Sequence, residues 1–191
     1  MTIKALKTLE RCRVVAGWPS VLKRLALGGK EVVYLSYRNQ EEELQRLAKL
    51  SQAMDVCVAA HGDPSVSDWE LMARIRALGV PFEVINGVSS VNVALTRAGL
   101  DLAQVVVVSQ HANNPQRLES CGRHILLIPY PTQEGLRAAV EELRRINCGE
   151  IWLMENLTLP DESVRPLGEI VDPSPLTIIV AKCNPHRDPS L

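Results

Sequence analysis

Five apolar residues in succession, Val56-Cys57-Val58-Ala59-Ala60, run directly into the turn formers His61-Gly62-Asp63-Pro64. A strand with one wet face alternates apolar and polar residues. An unbroken apolar run therefore marks a strand buried on both faces, as in a parallel sheet covered by helices. The flanking sequence supplies those helices. Residues 2–11 place Ile3, Leu6 and Leu9 at helical spacing behind Thr2, a natural N-cap. Short β-type runs follow at Val14-Val15-Ala16-Gly17 and Val32-Val33-Tyr34-Leu35. Asn39 and Glu42 have capping-box spacing ahead of a helix carrying Leu44, Leu47 and Leu50, and Ser67 with Glu70 repeats the device before Leu71, Met72, Ile75 and Leu78. Gly79 and Pro81 stop that helix. Phe82-Glu83-Val84-Ile85 reads as the next strand, Asn86-Gly87-Val88-Ser89-Ser90 as a tight loop, and Val91 to Ala98 as a helix ending at Gly99. With Val105 to Val108 as a further buried strand, residues 1–109 form a βα-alternating unit of the doubly wound type.

The 191 residues allow one large domain or two small ones. Polar residues cluster from His111 to Arg123 between two apolar strands, so the boundary is expected there, between an N-terminal α/β domain of residues 1–112 and a C-terminal α/β domain of residues 120–191. The second unit offers a strand from Ile125 to Ile128, a helix from Thr132 to Asn147 with Leu136, Val140, Leu143 and Ile146 on one face, and strands at Ile151 to Met154 and Leu176 to Val180.

Charge excludes several classes of function. Twenty-one basic against 22 acidic side chains give a net charge of −1, so no global positive field holds a nucleic-acid backbone or an anionic membrane. Aromatic residues are 4% of the chain, little from which to build the stacking platforms of single-strand binders. No apolar run approaches the roughly 18 residues that span a bilayer, and Lys4, Lys7 and Glu10 interrupt any signal-like start. The five cysteines, Cys12, Cys57, Cys121, Cys148 and Cys183, are scattered without a C-x-x-C pair and read as free thiols of a reducing cytoplasm.

In an open α/β sheet, ligands bind at the carboxyl ends of the strands. Two loops lie there. His61-Gly62-Asp63-Pro64 combines a glycine for close backbone approach with a carboxylate that accepts from an ammonium or a hydroxyl. Asn86-Gly87-Val88-Ser89-Ser90 offers amides at a helix N-terminus and two hydroxyls, a setting for a carboxylate. Each loop also has a structural reading, Asp63 as a local cap and Ser89 or Ser90 as an N-cap. Gly87-Val88-Ser89-Ser90-Val91 lacks the second glycine of a nucleophile elbow, and the four histidines share no metal-ligand spacing. His61 and His111 each follow a predicted buried strand at its carboxyl end.

Taken together, these residues resemble a known family. His61-Gly62-Asp63-Pro64, followed one helix later by Val84-Ile85-Asn86-Gly87-Val88-Ser89-Ser90-Val91, is similar to the GDP and PGVSS motifs of the tetrapyrrole (corrin and porphyrin) methylases. Val107-Val108-Ser109-Gln110-His111 resembles the family's strand end. Glu155-Asn156-Leu157 with Pro160-Asp161-Glu162-Ser163-Val164, and the strand entry Pro175-Leu176-Thr177, resemble its cobalt-precorrin C5-methyltransferase branch.

The resemblance implies two α/β domains with the ligand cleft between them, and transfer of a methyl group from S-adenosylmethionine to a ring carbon of a cobalt-precorrin in cobalamin biosynthesis. Carried over position by position, Gly62, Asp63, Pro64 and Val66 contact the cofactor from the first loop. Gly87, Ser89 and Ser90 hold its amino-acid end, Met154, Asn156 and Thr177 lie near its adenine, and His111 serves the substrate side. No metal ligands are implied. A homodimer is expected, and a separate decarboxylating C15-methyltransferase is the expected partner enzyme.

The sequence departs from the family at three places. Asn86 replaces a proline, Ala112-Asn113 stand where the branch shows glycine and arginine, and no strand with a G-x-G-P-G-D loop precedes Thr2. Without that strand the first sheet is expected to have an open edge, a physical reason to associate. Two other functions stay open: a cofactor-binding or interaction subunit without turnover, and a methylase of the same fold acting on another ring position or on diphthine.

Overall fold

The computed structural model describes residues 1–66, 68–110, 118–119 and 122–183. By their contacts they divide into two units, Met1–Ser89 and Ser90–Leu191.

In the first unit the element order is α1 (Ile3–Arg11), β1 (Val14–Gly17), α2 (Pro19–Leu22), β2 (Glu31–Tyr34), α3 (Gln40–Leu50), β3 (Val56–Ala59) and α4 (Trp69–Ala77). The strands form a parallel sheet in the order β2-β1-β3, with Gly17 level with Tyr34 on one side and Ala59 on the other. Alternation on β1 sorts the core into two layers. Val14 and Ala16 pack with Val33, Leu35, Leu44, Leu47 and Leu71, beneath α3 and α4, while Val15 packs with Leu9, Cys12 and Leu22, beneath α1 and α2. All four residues of β1, the central strand, are buried, whereas β3, expected from its unbroken apolar run to be buried on both faces, is only half-buried because it pairs among the described residues with β1 alone. Thr2 caps α1, its hydroxyl accepting from Ala5 N at 3.2 Å and donating to the Asn86 carbonyl at 2.9 Å.

Three expectations in this unit need correction or lie out of reach. Asn39 does not cap α3; its Oδ1 accepts from the backbone and hydroxyl of Ser36 at 2.7 and 2.9 Å, tightening the turn that enters the helix. Phe82-Glu83-Val84-Ile85 is not a strand. A strand needs a neighbour for its N–H and C=O groups, and β3 pairs among the described residues with β1 alone, so Phe82 and Val84 stay exposed. Ser67, the expected cap of α4, lies outside the described residues.

The second unit contains α5 (Ser90–Ala98), a 3-10 turn (Leu102–Gln104), β4 (Val105–Ser109), β5 (His124–Ile128), α6 (Gln133–Arg145), β6 (Cys148–Glu155), β7 (Ser163–Pro166) and β8 (Thr177–Cys183). Its sheet runs β4-β5-β8-β6-β7, with β4 and β5 parallel and the remaining pairs antiparallel. The division expected within residues 113–119 thus falls at Ser89/Ser90 in the contact pattern. The reason is that β4 pairs with β5 instead of joining the first sheet, and α5 lies against β8. Thr132 caps α6 by accepting from Gly135 N at 3.1 Å, and the helix buries Leu136, Ala139, Val140 and Leu143 in the core of this unit. The segment before β8 includes β7, which the sequence reading left irregular.

Four of the five cysteines are paired, Cys12 with Cys57 and Cys148 with Cys183, which overturns the free-thiol reading for them. Sequence spacing hides both pairs. Cys12 lies two residues before β1, the neighbour of β3 that carries Cys57, and Cys148 faces Cys183 across the β6–β8 ladder. The argument from free thiols to a reducing compartment loses its premise. Cys121 lies outside the described residues. No described helix is long and apolar enough to cross a membrane.

Candidate functional site

The loop after β3 is built around a carboxylate with no idle acceptor. Asp63 is 7% exposed; its Oδ1 accepts from the Ser65 backbone at 2.9 Å and hydroxyl at 2.5 Å, and its Oδ2 from Asn86 Nδ2 at 3.2 Å and Gly87 N at 3.1 Å. The Ser65 hydroxyl bond, aided by the other donors, holds the Asp63 pKa below the usual carboxylate range against the opposing effect of burial. The two loops touch closely. Gly62 has φ +54°, and a Cβ on Gly87 would fall 1.7 Å from the Gly62 carbonyl oxygen, so both positions demand glycine. Asn86 compensates for the departure from proline, because its side-chain amide supplies one of the four bonds.

Asp63 therefore fastens the two loops together, and its carboxylate is spent on that task. What the segment from Gly87 onward offers a ligand is backbone amides at the entry to the nine-residue helix α5, and the half-buried side chains of Ser89 and Ser90. A few residues from the first loop, Asp68 has a buried Oδ2 with no hydrogen-bond partner among the described residues, and burial pushes its pKa up to about 6.

In the second unit the residues after β6 form a second polar knot. Glu155 Oε1 accepts from Ser174 N at 3.0 Å, and its Oε2 accepts from Arg165 at 3.3 Å. Thr177 Oγ1 lies 2.6 Å from the Ser174 carbonyl and 3.3 Å from Glu155; one hydroxyl proton serves the shorter contact. Asn156 donates to Asp161 at 2.8 Å and accepts from the Ser174 hydroxyl at 2.6 Å. The backbone is bent sharply, with positive φ at Asn156 (+53°) and at the β-branched Thr158 (+68°), a strained conformation. Glu162 holds the bend, accepting from Thr158 N at 2.7 Å and from Arg97 of α5 at 2.8 Å. Those contacts, the Arg97 bond foremost, lower the Glu162 pKa.

Of the expected site residues, Gly62, Asp63 and Gly87 come together directly, and Pro64 and Val66 continue the same turn, with Val66 N donating to the Asp63 carbonyl at 3.0 Å. Asn156 is half-buried in the second knot, whereas Met154 is wholly buried and Thr177 is 3% exposed, so the latter two side chains belong to the interior. His111 and Ala112-Asn113 lie outside the described residues. Neither Ser65 nor Arg97 is singled out in the sequence, and Asn86 and Glu162 stand there only as motif positions without these contacts. Asp63-x-Ser65 is a turn signal that could have revealed Ser65, but Asn86 and Arg97 find partners 23 and 65 residues away.

A parallel sheet with glycine loops at its carboxyl edge, in a chain whose second sheet is mixed, defines an α/β protein. The family of Tetrapyrrole (Corrin/Porphyrin) Methylases matches residues 1–171, and the chain belongs to that family. A probable cobalt-factor III C(17)-methyltransferase of Methanothermobacter thermautotrophicus is 32% identical over 118 residues, which are 57% of this chain and 33% of that protein, so the match spans a third of that relative's length. A probable cobalt-precorrin-7 C(5)-methyltransferase of Methanocaldococcus jannaschii is 26% identical, covering 94% of this chain and 90% of its own. Among solved structures, the methyltransferase CobJ superposes with a TM-score of 0.79 at 16% identity, covering 96% of this chain and 88% of that one. The precorrin-6Y methylase of Archaeoglobus fulgidus does so at 0.69 and 24%, covering 96% and 92%. These likenesses establish the fold.

Proposed function

We propose that this chain is an S-adenosylmethionine-dependent methyltransferase of cobalamin biosynthesis acting at C5 of a cobalt-precorrin. The observation that carries the reading is the end-to-end match to the Methanocaldococcus protein named for that reaction, where the C(17) relative aligns over a third of its length. The ordered segments Glu155-Asn156-Leu157 and Pro160-Asp161-Glu162 support the same branch.

The donor set fits the cofactor's amino-acid end, since the amides and hydroxyls at Ser89 and Ser90 suit a carboxylate. When bound, S-adenosylmethionine supplies an electrophilic methyl group on a sulfonium sulfur. Asp63 keeps the two loops in register through Gly87, Ser89 and Ser90 hold the carboxylate, and Asn156 with its turn offers polar edges for the adenine. Methylation of an electron-rich ring carbon depends on in-line placement more than on a strong base, so orientation carries most of the rate. We place His111 on the substrate side and take the active form to be a cytoplasmic homodimer.

A second reading is a cofactor-binding subunit without turnover. Titration calorimetry with S-adenosylhomocysteine tests the shared premise: the chain binds it and the Asp63→Ala chain does not. Absence of binding by the unaltered chain contradicts both readings, and single-turnover methylation separates them.

A further inference from the structure

We infer that Arg97 and Glu162 are positioning residues for the cofactor: their ion pair holds the turn after β6 at a fixed spacing from the start of α5, so that the two ends of one ligand meet donors already set apart. This rests on the S-adenosylmethionine reading above, in which Ser90 serves the amino-acid end and the Asn156 turn the adenine. Both elements belong to the same unit, Ser90–Leu191. Helix α5 is anchored by its apolar face, on which Val91, Ala94 and Leu95 are buried, and it lies against β8. Ser90 and Arg97 are seven residues apart, which in an α-helix brings them to the same face to within about 20° and separates them by about 10 Å along the axis. The face that presents Ser90 to a ligand therefore presents Arg97 two turns later. Arg97 in turn donates to Glu162, 65 residues away in sequence, at 2.8 Å.

The turn that Glu162 closes is tied internally at several points. Leu159 N donates to the Asn156 carbonyl at 2.9 Å and Glu162 N to the Leu159 carbonyl at 3.0 Å, while Asn156 Nδ2 donates to Asp161 at 2.8 Å. Glu162 divides its two oxygens: Oε2 accepts from Thr158 N inside the turn, and Oε1 accepts from Arg97 Nε on the helix. One carboxylate thus joins the turn's backbone to α5. Global stability does not account for the bridge. The Arg97 side chain is 48% exposed and that of Glu162 22%, and an ion pair open to water contributes little to folding, because side-chain ordering and screening offset its attraction. Spacing accounts for it better. A ligand gripped at both ends gains affinity over either half only when the two grips are held at the separation that the ligand's own length demands. The Pro160-Asp161-Glu162 segment, a motif in the sequence, acquires a task here: Glu162 positions what Asn156 presents.

The test compares two ligands titrated calorimetrically into the full chain. S-Adenosylhomocysteine carries both ends, whereas 5′-methylthioadenosine carries the adenine end without the amino acid. Arg97→Leu is expected to weaken S-adenosylhomocysteine binding about five- to tenfold, while 5′-methylthioadenosine affinity stays within about twofold and the unfolding midpoint barely moves. Arg97→Lys, which keeps the charge, is expected to recover most of the loss. Glu162→Gln keeps an acceptor for Thr158 N, and combined with Arg97→Leu it adds nothing to the single loss, because the two side chains act as a pair. Unchanged S-adenosylhomocysteine affinity in Arg97→Leu overturns the proposal. So do equal losses for the two ligands, additive losses in the double variant, or an unaltered chain that binds S-adenosylhomocysteine but not 5′-methylthioadenosine and so has no separate adenine seat. All of these leave the methyltransferase reading standing, whereas no S-adenosylhomocysteine binding by the unaltered chain removes that reading itself.

Discussion

The carboxylate of Asp63 accepts a hydrogen bond from the amide of Gly87 at 3.1 Å, across 24 residues of sequence, and Gly87 sits so close to Gly62 that no side chain fits between them. One acid and two glycines thus turn two separate loops into a single surface.

Loss of Asp63 should be felt in stability and in binding. Asp63→Ala removes the acceptor of four part-buried hydrogen bonds, an expected loss of about 1–3 kcal/mol. Asp63→Asn fares little better, because one end of the amide must then present N–H groups to donors. Urea unfolding of both variants checks this; a loss comparable to that of an exposed surface substitution would show that the knot is unimportant.

Gly87→Ala should be worse than an ordinary glycine substitution, since the new methyl meets the Gly62 carbonyl oxygen. The prediction is reduced stability together with weakened S-adenosylhomocysteine binding. Gly28→Ala, where a Cβ meets open space, serves as the contrasting control.

Two aspartates give opposite pH dependences. Asp68, raised to about 6, binds its proton more tightly folded than unfolded, so stability falls as pH rises from about 4 to 6 and stays lower above that. Asp63, held low, contributes stability above the usual carboxylate pKa that is lost as pH falls through its depressed folded value. Asp68→Asn should flatten the first slope, and denaturant unfolding across this pH range reads it directly. A slope unchanged by the substitution would mean that Asp68 does not titrate there.

Thr158 carries a β-branched side chain at φ +68°, and Thr158→Gly relieves that strain, with an expected gain of about 1 kcal/mol offset in part by the freer unfolded chain. If the strain serves ligand binding through the Glu162 contact, the more stable variant binds S-adenosylhomocysteine more weakly.

The paired cysteines close long loops, with separations of 45 and 35 residues, so each bond is expected to stabilise its unit by roughly 4 kcal/mol on the loop-entropy account. Unfolding midpoints with and without a dithiol reductant should differ accordingly. Alkylation of all five cysteines in the unreduced, denatured chain would refute the pairing.

What the sequence disclosed and what it hid divide along physical lines. Local signals carried further: Thr2 caps α1, and β1 and β3 lie in a parallel sheet, although Asn39, with the same kind of signal, does not cap α3. The GDP and GVSS loops meet because Gly62 and Gly87 are placed by backbone geometry that only glycine satisfies. Non-local pairing was not legible. Phe82 to Ile85 has strand composition without a partner, β4 joins the second sheet, and Cys12 finds Cys57 only through strand neighbours. Asp63 illustrates both sides: its motif pointed to the site, yet its task as a fastener emerges only from donors 23 and 24 residues away.

The most direct test of the central claim is methyl transfer itself. The chain is incubated with S-adenosylmethionine bearing an isotopically labelled methyl group and a cobalt-precorrin unmethylated at C5, and the product is read by mass spectrometry and magnetic resonance. A C5-methyltransferase yields one labelled methyl per macrocycle, located at C5, with transfer abolished in Asp63→Ala. Label at another ring carbon would contradict the assigned position, and a chain that binds S-adenosylhomocysteine yet transfers no label would contradict the enzyme itself.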